Sequence, residues 1–109
     1  MPVVLQITFR QPPKDDVDPA AVHAALKMRA RRIAHDVPGL LWKIWIAQPS
    51  ANIYGGTYLF ESAQAAQAYL DSPIPDDIRH NTDFTTQIFE IEEEFSTITR
   101  APLSRPASS

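Results

Sequence analysis

A chain of 109 residues with 44% apolar content has the size and composition of a single globular domain. Its formal net charge of −3 offers no basic footprint for nucleic acid, and the absence of cysteine excludes disulfides, thiolate metal ligands and a cysteine nucleophile. The opening residues lack a basic stretch followed by a long apolar one, and no apolar run approaches the roughly 18 residues of a membrane span, so the expectation is a cytoplasmic protein with neither membrane nor nucleic-acid partners.

Val3, Leu5, Ile7 and Phe9 alternate with Val4, Gln6, Thr8 and Arg10, the pattern of a half-buried strand. Residues 11–16 are a polar, proline-rich loop. Asp18 before Pro19 predicts a helix start, a capping carboxylate followed by a proline whose missing N–H is not needed there. That helix runs to about residue 36, with Val22, Leu26, Arg29, Ala30 and Ile33 on one side, and Pro38-Gly39 ends it.

The next run, Leu40-Leu41-Trp42-Lys43-Ile44-Trp45-Ile46, reads as a strand reaching about Gln48. Alternation places Leu40, Trp42, Ile44 and Ile46 on one face and Leu41, Lys43, Trp45 and Ala47 on the other. A strand apolar on both faces wants cover on both. Pro49 to Asn52 is a hairpin connection, and a third strand over 54–61 carries Tyr54, Gly56, Tyr58 and Phe60 on one face. Ser62 caps a second helix with a stripe of Ala66, Tyr69 and Leu70, stopped by Pro73 and Pro75. Residues 76–83 form a loop or one helical turn. A fourth strand spans 84 to about 95, alternating Phe89, Ile91 and Phe95 with Ile88, Glu90, Glu92 and Glu94. The domain is residues 1–100, and 101–109 are a proline- and serine-rich tail, mobile or docked on a partner subunit.

The order β-α-β-β-α-β is the split βαβ pattern of a ferredoxin-like α+β sandwich, a four-stranded antiparallel sheet with two helices on one face. The uncovered face carries one of the tryptophans, and an apolar face of that size implies a partner. The expected arrangement is a homodimer packed sheet against sheet, with a ligand cavity between each sheet and its helices.

Three segments carry a family resemblance: Gly39-Leu40-Leu41-Trp42-Lys43-Ile44-Trp45, Gly55-Gly56-Thr57-Tyr58-Leu59-Phe60 and Ala65-Ala66-Gln67-Ala68-Tyr69-Leu70. At this spacing the chain resembles the YdhR-like monooxygenases of the dimeric α+β barrel superfamily, from the first strand to Leu103. Residues 72–83 show no matching motif. The resemblance implies a homodimer with an aromatic-lined pocket in each subunit. Its superfamily includes cofactor-independent oxygenases of polycyclic phenols such as anthrones, and also haem-degrading enzymes and isomerases, so fold alone does not fix the reaction.

Trp42 and Trp45 lie an odd number of residues apart and cannot share a strand face; one packs, while the other lines a pocket or an interface. Tyr54, Tyr58 and Phe60 share a face, where the tyrosine hydroxyls suit a phenol or quinone oxygen or simply form the rim of an aromatic cluster. Lys43, among apolar neighbours, either snorkels to water or stabilises a phenolate or enolate. His80, beside Arg79 and Asn81, is a candidate general base, set against an ordinary exposed loop histidine. His23 and His35 differ in direction by about a third of a turn and do not chelate a metal. The alternating Glu90, Glu92 and Glu94 read as a solvated strand edge. Gly55-Gly56 lies within a strand without a following lysine, and three glycines in all leave no dinucleotide fingerprint, so no cofactor and no metal are expected. A haem would find only the three histidines as axial ligands.

The resulting expectation is a cofactor-independent monooxygenase that oxidises a small or polycyclic aromatic, phenol- or anthrone-like, with O2. Trp42, Trp45, Tyr54, Tyr58 and Phe60 would bind the substrate, and Lys43 and His80 would be catalytic. The alternative is a non-catalytic dimeric module that binds an apolar metabolite in the same pocket.

Overall fold

The computed structural model describes residues 1–13 and 16–105; residues 14 and 15 of the predicted loop and 106–109 of the tail lie outside the described residues. Strand β1 (Val3–Arg10) is followed by helix α1 (Pro19–Asp36), β2 (Leu40–Gln48), a 3-10 turn at Pro49–Ala51, β3 (Ile53–Phe60), α2 (Ala63–Asp71), the single-turn α3 (Asp76–Arg79), β4 (Thr82–Glu90) and α4 (Glu93–Ile98). The four strands form one antiparallel sheet in the order β2-β3-β1-β4. This is the ferredoxin-like α+β arrangement that the element order predicts. No helix among the described residues is long and apolar enough to cross a membrane.

The core follows from the β1 alternation. Val3, Leu5, Ile7 and Phe9 are buried, and on β3 they lie opposite Phe60, Tyr58, Gly56 and Tyr54. Ile33 of α1 and Ala66 and Tyr69 of α2 close this face from above. Each fully buried Leu, Ile or Phe contributes roughly 1.5–3 kcal/mol. The helices begin where their caps predict: Asp18 Oδ1 accepts from the Ala20 N–H at 3.0 Å, and Ser62 Oγ accepts from the Ala65 N–H at 3.1 Å.

Three features differ from the simple pattern. First, Leu40 pairs with Phe60 but Trp42 pairs with Leu59, so the register shifts by one residue at Leu41. Leu40 therefore enters the core, while Trp42, Ile44 and Ile46 turn to the opposite face; Leu40 and Trp42 do not share a side. Lys43, Trp45 and Ala47 stay on the helix side, opposite Tyr58, Gly56 and Tyr54. Secondly, β4 ends at Glu90, not near 95, and α4 follows. Glu93 and Glu94 occupy the first turn of α4, where carboxylates complement the helix dipole, so they are not a strand edge. Thirdly, only Ile33 of α1 is buried; Val22 and Leu26 of the predicted stripe are exposed.

The face away from the helices carries an apolar row that crosses all four strands: Trp42, Leu59, Val4 and Phe89 are successive cross-strand partners. Ile44 beside it is 53% exposed and Phe89 is 43% exposed.

The link from α1 into β2 is narrow. The Leu40 N–H reaches the Val37 carbonyl at 3.4 Å across Pro38 and Gly39, and Gly39 has φ of 78°. A Cβ on Gly39 would lie 2.6 Å from Ala65 Cβ. Gly39→Ala is therefore expected to destabilise the fold by about 1–3 kcal/mol in urea unfolding, and an unchanged midpoint would contradict this account of the turn.

Candidate active site

Lys43 sits two residues past the bulge, on the helix side of β2. Its side chain runs across the sheet toward β3, and the neighbour it crosses is Gly56: a Cβ there would lie 2.6 Å from Lys43 Cε and 3.0 Å from the Tyr58 ring. The missing side chain opens a channel for the lysine stem. The ammonium nitrogen ends 3.5 Å from the centroid of Trp45 and 4.6 Å from that of Tyr58. No carboxylate among the described residues comes within ion-pair distance of it.

The electrostatic consequence is large. Burial, followed by repulsion from Arg29, lowers Lys43 from 10.5 to about 7, with Asp77 pulling the other way. The aromatic faces also favour the ammonium, as a cation–π contact does. The amine thus changes protonation near neutral pH. Arg29 is held at the site by Asp77 of α3, Nη1 to Oδ2 at 2.5 Å, and its side chain is largely buried. Beneath the lysine, the Tyr58 and Tyr69 hydroxyls are 3.3 Å apart. Burial first, then mutual repulsion and hydrogen bonding with Tyr69, pushes the Tyr58 phenol up, and burial also raises Tyr69. Tyr58 remains a neutral phenol throughout the working range of pH.

An open cleft of about 310 Å3 adjoins Lys43 at the free edge of β2. Its aliphatic wall comes from Ala30, Ile33 and Ala34 of α1 with Leu40 and Leu41, and its lining also includes Trp42, Lys43, Trp45 and Arg105. Trp45 is 43% exposed. The Trp42 indole N–H donates to the Pro102 carbonyl at 2.9 Å, and Arg105 Nη2 donates to the Leu40 carbonyl at 3.0 Å, so residues 102–105 run beside the cleft.

The structure brings together some of the residues singled out from sequence and separates others. Lys43, Trp45 and Tyr58 form one cluster, and Trp42 joins Lys43 and Trp45 in the cleft lining. Tyr58, 1% exposed, and the fully buried Phe60 form a floor beneath the site, with Tyr58 and Phe60 ring centroids 6.1 Å apart. Tyr54 lies four residues farther along β3, roughly 13 Å at strand rise, and contacts Phe9 instead. His80 caps the end of α3 and is exposed, and it is not among the charges acting on Lys43. Tyr69, Arg29 and Asp77 complete the cluster. Tyr69 and Arg29 were visible only as members of helix stripes, and Asp77 carried no signal, because its pairing with Arg29 spans 48 positions. Among the described residues no group of three or more acidic or histidine side chains is disposed to hold a metal.

Residues 4–102 match the sequence profile of the family described as "Putative mono-oxygenase ydhR". A comparison with curated proteins finds no match. Among solved structures, the fold is similar to that of a mutant of SnoaB, a cofactor-independent oxygenase from Streptomyces nogalater, with a TM-score of 0.59 and 16% identity over 84% of this chain and 93% of that one. Rv0793 from Mycobacterium tuberculosis gives 0.58 and 13% identity over 84% and 95% of the two chains. MhuD, from the same organism, in a mutant form with two manganese protoporphyrin IX bound per active site, gives 0.51 and 23% over 83% and 94%. At these identities the likeness is one of fold.

Burial of Lys43 has a signature in stability. The unfolded chain holds the Lys43 proton up to 10.5, whereas the folded one releases it at about 7. Between these values the unfolded state binds more protons, so the stability contributed by Lys43 rises with pH across this window and is constant below it. Against a Lys43→Met variant, the wild type should gain relative stability in urea unfolding between about pH 7 and about pH 10. A pH-independent difference would contradict the burial.

Proposed function

Because the chain belongs to the ydhR mono-oxygenase family, whose profile covers residues 4–102, we propose that it is a cofactor-independent monooxygenase that oxidises a compact aromatic phenol or enol with O2. The observation that carries this reading is the Lys43 amine, stacked on Trp45 at 3.5 Å, beside an aromatic-lined cleft and titrating at about 7. A general base works best when its pKa lies near the operating pH. The cleft volume of about 310 Å3 lies at the lower end of the roughly 300–1,000 Å3 of small-molecule sites, which suits one compact ring system.

In this reading the substrate ring packs against Trp45, and neutral Lys43 takes the phenolic or enolic proton. The ammonium that forms stabilises the substrate anion at close range. The anion gives one electron to O2, and the resulting radical and superoxide combine into a carbon-bound peroxide. Lys43 returns its proton to the peroxide. The hydroperoxide then breaks its O–O bond, losing the adjacent C–H hydrogen with the outer oxygen as water and leaving a carbonyl. For anthrone the sum is anthrone plus O2 giving anthraquinone plus water, so the substrate supplies every electron. Tyr58 and Tyr69, as neutral phenols beneath the amine, fix its position and take no proton. His80 has no part in this scheme.

A second element of the proposal is the homodimer. The apolar row Trp42, Leu59, Val4 and Phe89 suits the matching face of a second copy, because Ile44 beside it and Phe89 at its end are about half exposed in the single subunit. A porphyrin, as in MhuD, is less well served: His23, His35 and His80 are all exposed and none lines the cleft.

Anthrone in metal-chelated buffer should be consumed with matching O2 uptake above the uncatalysed rate, with kcat/KM rising with pH to a plateau above about 7. Lys43→Met should lower kcat/KM by about 10²-fold or more. Absence of uptake across a panel of anthrones and naphthols, or full activity in Lys43→Met, would overturn the reading; binding without conversion would favour a non-catalytic module. For assembly, light scattering should give a dimer for the wild type and a monomer for Ile44→Glu.

A further inference from the structure

The cleft beside Lys43 contains a second cation, delivered by the C-terminal segment. Two anchors hold that segment to β2: the Trp42 indole N–H on the Pro102 carbonyl at 2.9 Å, and Arg105 Nη2 on the Leu40 carbonyl at 3.0 Å. Both anchoring residues of β2 belong to the cleft lining, and so does Arg105 itself. The guanidinium has five N–H donors in a planar fork, and the Leu40 carbonyl engages one nitrogen of it. Among the described residues no carboxylate lines the cleft, although the chain as a whole carries a net charge of −3. The described lining thus pairs an apolar wall with two basic side chains, Lys43 and Arg105.

We propose that the cleft is selective for an aromatic acid, with Arg105 holding the carboxylate while Trp45 packs against the ring system. This rests on the proposed function for the location of the site, but not on Lys43 acting as a base. A carboxylate is the anion whose geometry a guanidinium fork matches with two parallel hydrogen bonds, and the apolar wall accommodates a ring and not a sugar or a nucleotide. Arg105 is then a specificity-determining residue contributed from outside the sheet-and-helix body, and the anchored segment forms one wall of the site.

Both tryptophans of the chain line the cleft, so their fluorescence reports its occupancy directly. The probes are 2-naphthoate and its neutral counterpart 2-naphthamide, titrated at about pH 8.5, where Lys43 is largely uncharged given its value of about 7. The wild type should bind naphthoate at least about tenfold more tightly than naphthamide. Arg105→Gln should reduce that preference to less than about threefold. A chain ending at Ser104 should behave as Arg105→Gln does. Equal affinity of the wild type for the two probes, a preference that survives both changes, or no binding of either probe would overturn the proposal. Turnover is not measured, so loss of naphthoate selectivity is distinguishable from failure of the oxygenase reading, which Lys43→Met tests separately.

Discussion

Lys43 crosses from β2 over β3 because Gly56 has no side chain to stop it, and its nitrogen comes to rest between the faces of Trp45 and Tyr58. The rest of the site depends on that crossing. A lysine that snorkelled to solvent would keep its ordinary basicity and serve only solubility. Laid across the sheet, it loses water, feels Arg29, and falls to about 7. Tyr58, Phe60 and Tyr69 form the packed aromatic floor that keeps it there, with the three ring centroids 5.2–6.1 Å from one another.

The bulge at Leu41 is the device that makes this placement compatible with a strand apolar on both sides. Strict alternation would put Leu40 with Trp42. The register shift sends Leu40 into the core while Trp42 faces the other way, and leaves Lys43 and Trp45 on the helix side. One strand therefore contributes to the core, to the Lys43 cluster and to the apolar row on the far face. Because β2 is the edge of the sheet, its free side is open to the C-terminal segment, which docks there through Trp42 and Arg105. The edge that would otherwise invite pairing with another strand is partly occupied by the chain itself.

Much of the fold was legible in the sequence because local rules govern it. The β1 alternation, the Asp18-Pro19 and Ser62 caps and the prolines after α2 each specify a boundary through backbone hydrogen bonding. The fourth strand was overextended because Glu90, Glu92 and Glu94 alternate like a strand edge, whereas Glu93 and Glu94 together start a helix. The separation of Trp42 from Trp45 was readable from parity alone, but the bulge that separates Leu40 from Trp42 was not. At the site, Lys43 stood out as a charge within an apolar run, yet nothing local revealed that Gly56 admits it. Arg29, Asp77 and Arg105 reach the site through tertiary contacts, which no spacing encodes. His80 looked suitable by residue type and loop position, but its place at the exposed end of α3 sets it apart from the cluster.

The central claim is that an uncompensated lysine amine is held at neutral pH against an aromatic wall. Isotope-detected NMR titration of the Lys43 side chain measures this directly. A Lys43 midpoint near 7 is the predicted result. A midpoint near 10.5, the ordinary value for a lysine, would contradict it.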